Sequence, residues 1–268
     1  MTTTAERPAA ARPAAGRLGS DTVTGMLEAL VRRHPDAPAV IYGDQRFSFA
    51  ELDALGRRAA GGLSALGVKA GERVAMWLPN SVAYLALYLG CARLGAIAVA
   101  VNTRFRSAEV ADIVGRSGAR WLVMWPGFRH IDFLGILGAC EPAALAKLET
   151  LILYDEGDPA GALPAGVSHC RTVRCDAVLA GEPYSGNHAT PDTGCNIFTT
   201  SGTTRAPKFV LHAQSSIARH ADIVADAYGY RASGGGLLAV LPFCGVFGFS
   251  QVMASLASGR PTVVLSAF

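Results

Sequence analysis

From residue 72 onward, short unbroken apolar runs alternate with segments whose apolar residues recur every three or four positions. RVAMWL reads as a buried strand, Pro79-Asn80-Ser81 starts a helix, Gly95 ends it, and AIAVAV returns as a strand. Ser107 is placed to cap a further helix carrying Val110, Ile113 and Val114. RWLVM and TLILY follow as strands, the second after a helical region. In the last quarter CNIFT, FVLH, LLAVL and PTVVL have strand character. The stretch from about Ser215 to Tyr228 and the run GFSQVMASLASG have helical spacing. Buried runs alternating with helices imply βαβ units, hence an α/β fold with mostly parallel sheets and helices on both faces.

The segment before residue 72 has a different rhythm. Val23, Met26, Leu27, Leu30 and Val31 share one helical face, closed by Pro35. PAVIY and QRFSF flank Gly43-Asp44, a hairpin signal. Ser48 stands three residues before Glu51, the spacing of a capping box, and Leu52, Leu55, Ala59, Leu63 and Leu66 then line one side of a helix. Gly67 occupies the position of a C-terminal cap. Residues 155–193 are richer in Gly, Pro and Asp and read as an irregular connection with at most one strand, around Val167 to Val173.

Composition narrows the class. With 268 residues, half of them hydrophobic and 17% charged, the chain can bury a large core. The net charge of +3 and the lack of any basic block argue against nucleic acid as a partner. Residues 1–20, rich in Ala, Pro and Arg, lack the apolar core of a signal peptide and are expected to be a disordered tail. The most membrane-like stretch, Tyr84 to Val101, is interrupted by Arg93 and Gly95, so no integral membrane span is expected. Six scattered cysteines without a C-x-x-C pair suit a reduced, cytoplasmic protein. His169-Cys170 with Cys175 lacks the paired ligands of a zinc site, so no metal site is assigned.

The densest chemistry lies in Phe198-Thr199-Thr200-Ser201-Gly202-Thr203-Thr204-Arg205-Ala206-Pro207-Lys208. Gly202 lets the backbone approach a ligand, the hydroxyls add donors, and Lys208 adds a mobile positive charge. Backbone N–H groups in such a turn form an anion-binding concavity, which suits a polyphosphate. The loop is not a Walker A motif, because Pro207 precedes Lys208 and Phe209 follows it. By composition alone an exposed polar turn remains the alternative.

Thr200 to Lys208 resembles the T-S-G-T-T-G-x-P-K loop of adenylate-forming enzymes, a family of acyl-CoA synthetases, peptide-synthetase adenylation domains and luciferases. Three other segments resemble the family in the same order: Ser48 to Ser81, Tyr84 to Met124, and LPFCGVFGF. The resemblance covers about residues 23 to 268 and implies that residues 21–268 are an incomplete large N-terminal domain of that fold. It implies that Thr200, Ser201, Gly202, Thr203, Thr204 and Lys208 hold the phosphates of ATP, and that Phe243, Gly245 and Phe247 belong to the acyl pocket. ATP, Mg²⁺, CoA and a carboxylic acid are the implied reactants, through an acyl-adenylate. A ligase loading a carrier protein, or a non-catalytic remnant, are the alternatives.

The match has departures. Arg205 stands where the family loop has a second glycine, Phe209 follows Lys208 in place of a glycine, and Gly245 stands where many relatives carry a histidine or aromatic residue. Cys244 has no positioned base identifiable from sequence and reads as a buried thiol. The resemblance also implies adenine-, ribose- and Mg²⁺-binding segments, a hinge and a catalytic lysine beyond Phe268, so the sequence is expected to be one part of a longer enzyme.

Overall fold

A computed structural model describes residues 17–129, 131–154, 163–200, 207–232 and 234–266. The chain opens with helix α1 (Val23–Arg33), the antiparallel pair β1 (Pro38–Tyr42) and β2 (Gln45–Ser48), and helix α2 (Phe49–Ala65). Strand β3 (Arg73–Trp77), helix α3 (Val82–Leu94), strand β4 (Ile97–Ala100), helix α4 (Ser107–Ser117) and strand β5 (Trp121–Met124) follow. Two short helices, α5 (Phe133–Gly138) and α6 (Pro142–Leu145), lead to β6 (Thr150–Leu153), β7 (Arg171–Arg174) and α7 (Cys175–Leu179). The last quarter holds β8 (Gly194–Thr199), β9 (Phe209–Ala213), α8 (Gln214–Ala227), β10 (Leu237–Ala239), α9 (Val246–Ala257) and β11 (Thr262–Val264).

These strands form two sheets. Seven strands run in the order β7-β6-β5-β3-β4-β8-β9, all parallel except the edge strand β9. Four more run β10-β11-β1-β2, joining the two ends of the chain through a parallel β1–β11 pair. Alternation along the seven-stranded sheet separates two cores. Val74, Met76, Ala98 and Ala100 enter the larger core, while Ala75, Trp77, Val99 and Val101 enter the core on the opposite face. With both faces covered, the strands read as continuous apolar runs.

Local signals in the sequence reappear as geometry. Gly43 takes a positive φ in the β1–β2 turn, and Ser48 and Glu51 exchange both bonds of a capping box at the start of α2. Helix α3 starts at the Ser81 cap and ends on Gly95 in the left-handed conformation. It is buried from Ala83 to Leu94, and Arg93 within it pairs with Asp53 at 3.0 Å and Glu28 at 3.2 Å. Gly90 is where α2 comes closest: a Cβ there would stand 2.8 Å from the Ala60 nitrogen.

Other boundaries moved. Ser107 is the first residue of α4 and not its cap, because the Glu109 carboxylate accepts the Arg106 N–H at 3.0 Å and puts the cap position one residue earlier. The strand expected around 167–173 is Arg171–Arg174, with a short 3₁₀ turn at Ala165–Val167 before it. Residues 1–16 of the expected tail lie outside the described residues. Arg17 to Ser20 lie against the fold, with Leu18 buried and Arg17 paired to Asp226 at 2.6 Å. Among the described residues no helix is long and apolar enough to cross a membrane.

Candidate functional site

The strand order reverses beside β3: the chain passes from β3 to β4 on one side, then crosses to β5 on the other. In parallel α/β sheets, ligands gather outside the carboxyl ends of strands at such a point. A cavity of about 290 Å³ lies there, lined by Asn80 after β3, Asn102 and Arg104 after β4, Arg129, Pro242 and Cys244. The loop after β4 is shaped by its own side chains. The Trp77 indole donates to the Asn102 carbonyl at 3.1 Å, and the Asn102 side-chain oxygen accepts the Arg104 N–H at 2.9 Å. Arg104 and Arg129 are exposed, so this end of the sheet is cationic.

The hydroxyl-rich loop leaves β8, next to β4 in the same sheet, and returns as β9. Its neck is closed. Thr199 pairs with Phe209, and the Thr200 N–H donates to the Lys208 carbonyl at 3.0 Å. The Arg116 guanidinium lies 4.2 Å from the Phe209 ring centroid and donates to the Pro207 carbonyl, while Asp112 holds it from the side at 2.6 Å. Phe209, which departs from the family pattern, thus forms part of a cation–π clamp on the loop's exit strand. Thr200 and Lys208 are exposed at this neck. Ser201, Gly202, Thr203 and Thr204, and Arg205 with them, lie outside the described residues.

The segment 241–249 connects β10 to α9. Phe243 is buried, with its ring edge-on to Tyr84 at 5.6 Å. Its N–H donates to the Asn80 side chain at 2.7 Å, and its carbonyl accepts the Tyr84 hydroxyl at 3.4 Å. Gly245 is the N-cap residue of α9, and a Cβ there would meet only the Pro242 carbonyl, at 3.4 Å. Phe247 is exposed on the first turn of α9. Their neighbours line the cavities instead: Cys244 the one at the switch point, Val246 and Phe249 a second.

That second cavity, about 270 Å³, lies between α8, α9 and the β8–β9 pair. Phe198, Ile217, Val246, Phe249 and Met253 make it mostly apolar, and His212 and His220 enter from β9 and α8. Burial lowers His212 from the ordinary imidazole value, and the nearby His220 adds to the effect. The two histidines are residues that sequence reasoning missed. Sequence offered little signal, since Ser216 and His220 are exposed polar residues beside the buried face of α8.

Burial disfavours the thiolate form of the cysteines. All six are free thiols, and burial pushes Cys244 up to about 11 and Cys175 and Cys195 up to about 12. Among the described residues no group of three His, Cys, Asp or Glu side chains could hold a metal ion.

The family model for AMP-binding enzyme matches residues 27–268. A *Mycobacterium tuberculosis* 3-[(3aS,4S,7aS)-7a-methyl-1,5-dioxo-octahydro-1H-inden-4-yl]propanoyl:CoA ligase is 33% identical over 247 residues, covering 90% of this chain and 46% of that protein. The human mitochondrial medium-chain acyl-CoA ligase ACSF2 is 29% identical over 225 residues, covering 78% of this chain and 36% of its own. The chain therefore spans less than half the length of these relatives. Among solved structures, the N-terminal domain of FACL13 from *Mycobacterium tuberculosis* superposes with a TM-score of 0.69 at 26% identity, covering 92% of this chain and 57% of that one. An anthranilate CoA ligase, AuaEII, solved with anthranoyl-AMP, shares the fold with a TM-score of 0.73 at 22% identity, covering 92% of this chain and 45% of that one.

Proposed function

The chain belongs to the AMP-binding enzyme family, and from that membership we propose that it supplies the phosphate grip and the acyl cavity of an ATP-dependent carboxylate–CoA ligase. The observation that carries this reading is the closed neck at Thr200 and Lys208, at the end of β8 in the sheet whose strand ends carry a cationic cavity. Thr200, Ser201, Gly202, Thr203, Thr204 and Lys208 are assigned to the ATP phosphates. The closed neck holds the Lys208 ammonium at the loop's exit, and backbone N–H groups of the loop would add donors to the phosphates.

A carboxylate oxygen then attacks the α-phosphorus. The bond to the bridging oxygen breaks, pyrophosphate leaves, and an acyl-adenylate forms. Attack of the CoA thiolate on the acyl carbon displaces AMP and gives the thioester. Positive charge at the loop counters charge that builds on the phosphates during the first step. Arg104 and Arg129 at the switch-point cavity suit a further anionic portion of ATP or CoA. Mg²⁺ would accompany the ATP phosphates, since the described residues offer it no side-chain cage.

The acid's hydrophobic body is assigned to the cavity between α8 and α9, with Phe243, Gly245 and Phe247 shaping the segment that borders it. The *Mycobacterium tuberculosis* relative named for a bicyclic dioxo acid supports an acid of ring-bearing size. The test is ATP–pyrophosphate exchange by the whole protein that contains this chain, over a panel of acids, followed by CoA-dependent thioester formation. Exchange that depends on the acid, with acyl-CoA as product, is the expected result. Exchange with transfer only to a carrier protein would move the acceptor assignment. No exchange with any acid would overturn the ligase reading.

A further inference from the structure

Lys208 carries the ammonium of the hydroxyl-rich loop, and the residues on either side of it are tied to one side chain of α4. The Arg116 guanidinium donates through Nη2 to the carbonyl of Pro207, the residue before Lys208. The same guanidinium lies 4.2 Å from the ring centroid of Phe209, the residue after it. Lys208 makes the third tie itself, its carbonyl accepting the Thr200 N–H at 3.0 Å. Three consecutive residues are thus held through backbone or ring, while the Lys208 side chain stays exposed.

Arg116 is in turn aimed. Its Nε and Nη2 donate to the two oxygens of Asp112, one turn earlier on α4, at 2.7 and 2.6 Å. That pairing uses the planar fork of the guanidinium and leaves the second Nη2 hydrogen for Pro207. Asp112 also offsets the arginine's charge, so the clamp can stand beside a second cation at Lys208. An ion pair with Asp112 alone would be an ordinary feature of a helix surface. Two contacts made to the far side of the sequence, 91 residues on at Pro207 and again at Phe209, give Arg116 a place at the loop. A glycine at 209, the residue of the resembling loops, would offer no ring to hold.

We propose that Arg116 is a positioning residue for Lys208: by holding Pro207 and Phe209 it fixes the lysine's backbone, so that the ammonium meets a nucleoside triphosphate with less freedom to lose. This assignment rests on the reading of Lys208 as a phosphate-binding group. Arg116 acts through the lysine and not as a separate charge on the phosphates. Its removal therefore weakens ATP binding and leaves the acid alone, because freedom left in the unliganded protein is lost on binding.

The test is a set of variants of the whole protein that contains this chain. Arg116→Met keeps the length of the side chain and removes its charge and donors. Arg116 is 44% exposed, so the substitution leaves the core intact. Phe209→Leu keeps an apolar side chain and removes the ring. ATP affinity is measured by calorimetry, independently of turnover; KM for ATP, KM for the acid and kcat are measured by pyrophosphate exchange. Arg116→Met is expected to weaken ATP binding by about three- to tenfold with KM for the acid unchanged, and Phe209→Leu to act in the same direction. Arg116→Lys should not restore it, since an ammonium has no planar fork with which to hold a carboxylate, a carbonyl and a ring together. In a Lys208→Ala background, Arg116→Met should cost less than about twofold further, because the group it positions is gone. Weakened ATP binding without acid-dependent exchange would leave the positioning role standing and remove the ligase reading. Unchanged ATP binding in Arg116→Met, full restoration by Arg116→Lys, an acid KM that rises in step with that for ATP, the same loss with and without Lys208, or no ATP binding by the unsubstituted protein overturns the proposal.

Discussion

Asn80 and Phe243 are joined through backbone and side chain: the Asn80 carboxamide accepts the Phe243 N–H at 2.7 Å and donates to the Leu241 carbonyl at 2.9 Å. A single side chain at the end of β3 thereby fixes the segment on both sides of Pro242, the stretch that separates the two cavities. Asn80 is 5% exposed and its bond to the Phe243 N–H is buried, whereas Leu241 is exposed. Asn80→Ala would leave the buried Phe243 N–H unmet, a loss of about 1–3 kcal/mol. Urea unfolding of the chain should show that loss in the midpoint with little change in slope. An unchanged midpoint would mean the 241–243 segment is held by its neighbours alone.

Lys208 tests the phosphate grip. Its carbonyl is committed to Thr200 at 3.0 Å, while its exposed side chain is available to a ligand. Replacing it with alanine keeps the neck and removes the charge. A charge-assisted hydrogen bond contributes about 1.5–3 kcal/mol, so Lys208→Ala should reduce ATP use in the whole protein by roughly ten- to a hundredfold. Pyrophosphate exchange with an unchanged rate and ATP KM would count against the assignment.

Much of this arrangement was legible in sequence, and the parts that were not share a cause. The Gly43 turn, the Ser48–Glu51 capping box and the Gly95 terminus depend on residues a few positions apart, so local spacing revealed them. The buried β3, β4 and β5 runs announced a parallel sheet for the same reason. Pairing of β1 with β11 joins opposite ends of the chain, and no local pattern encodes it. The switch point needs the strand order, which only assembly supplies. Gly245 and Phe247 were singled out from the resemblance, whereas the cavity walls include Val246 and Phe249, set by the phase in which α9 begins. Asn196 left a visible signal, a carboxamide within an apolar strand, but its position opposite His212 is fixed only by the β8–β9 register.

Cys244 gives a pH prediction. Burial raises its thiol from the ordinary 9.0 to about 11, outweighing the opposing hydrogen bond from the Thr103 backbone and the charge of Arg104. Because the folded state holds this proton more tightly than the unfolded chain, its contribution to stability is full below about pH 9. That contribution is lost as pH rises toward about 11. Alkylation of Cys244 by iodoacetamide should be slow near neutrality and keep rising by about tenfold per pH unit beyond the ordinary thiol value of 9.0, where a free cysteine levels off. A rate that plateaus there would mean that the thiol is solvated.

Gly245 tests whether the segment between the cavities sets the size of acid accepted. It caps α9 with φ at −101, a conformation open to any residue, so a side chain there brings no backbone strain. A Cβ would touch only the Pro242 carbonyl at 3.4 Å, an ordinary contact, so Gly245→Ala should leave stability within about 0.5 kcal/mol. Gly245→Trp introduces a large ring between Cys244, which lines one cavity, and Val246, which lines the other. If the acid extends along this boundary, the added ring takes up part of its space, and the cost grows with substrate size. In the whole protein, two-ring acids should then lose kcat/KM first, while acetate- to butyrate-sized acids keep most of theirs. Comparing the two variants separates the causes: alanine reports on the backbone, tryptophan on the space. A uniform loss across all acids, with a lowered unfolding midpoint for tryptophan, would point to disturbed packing and remove Gly245 from the determinants of selectivity.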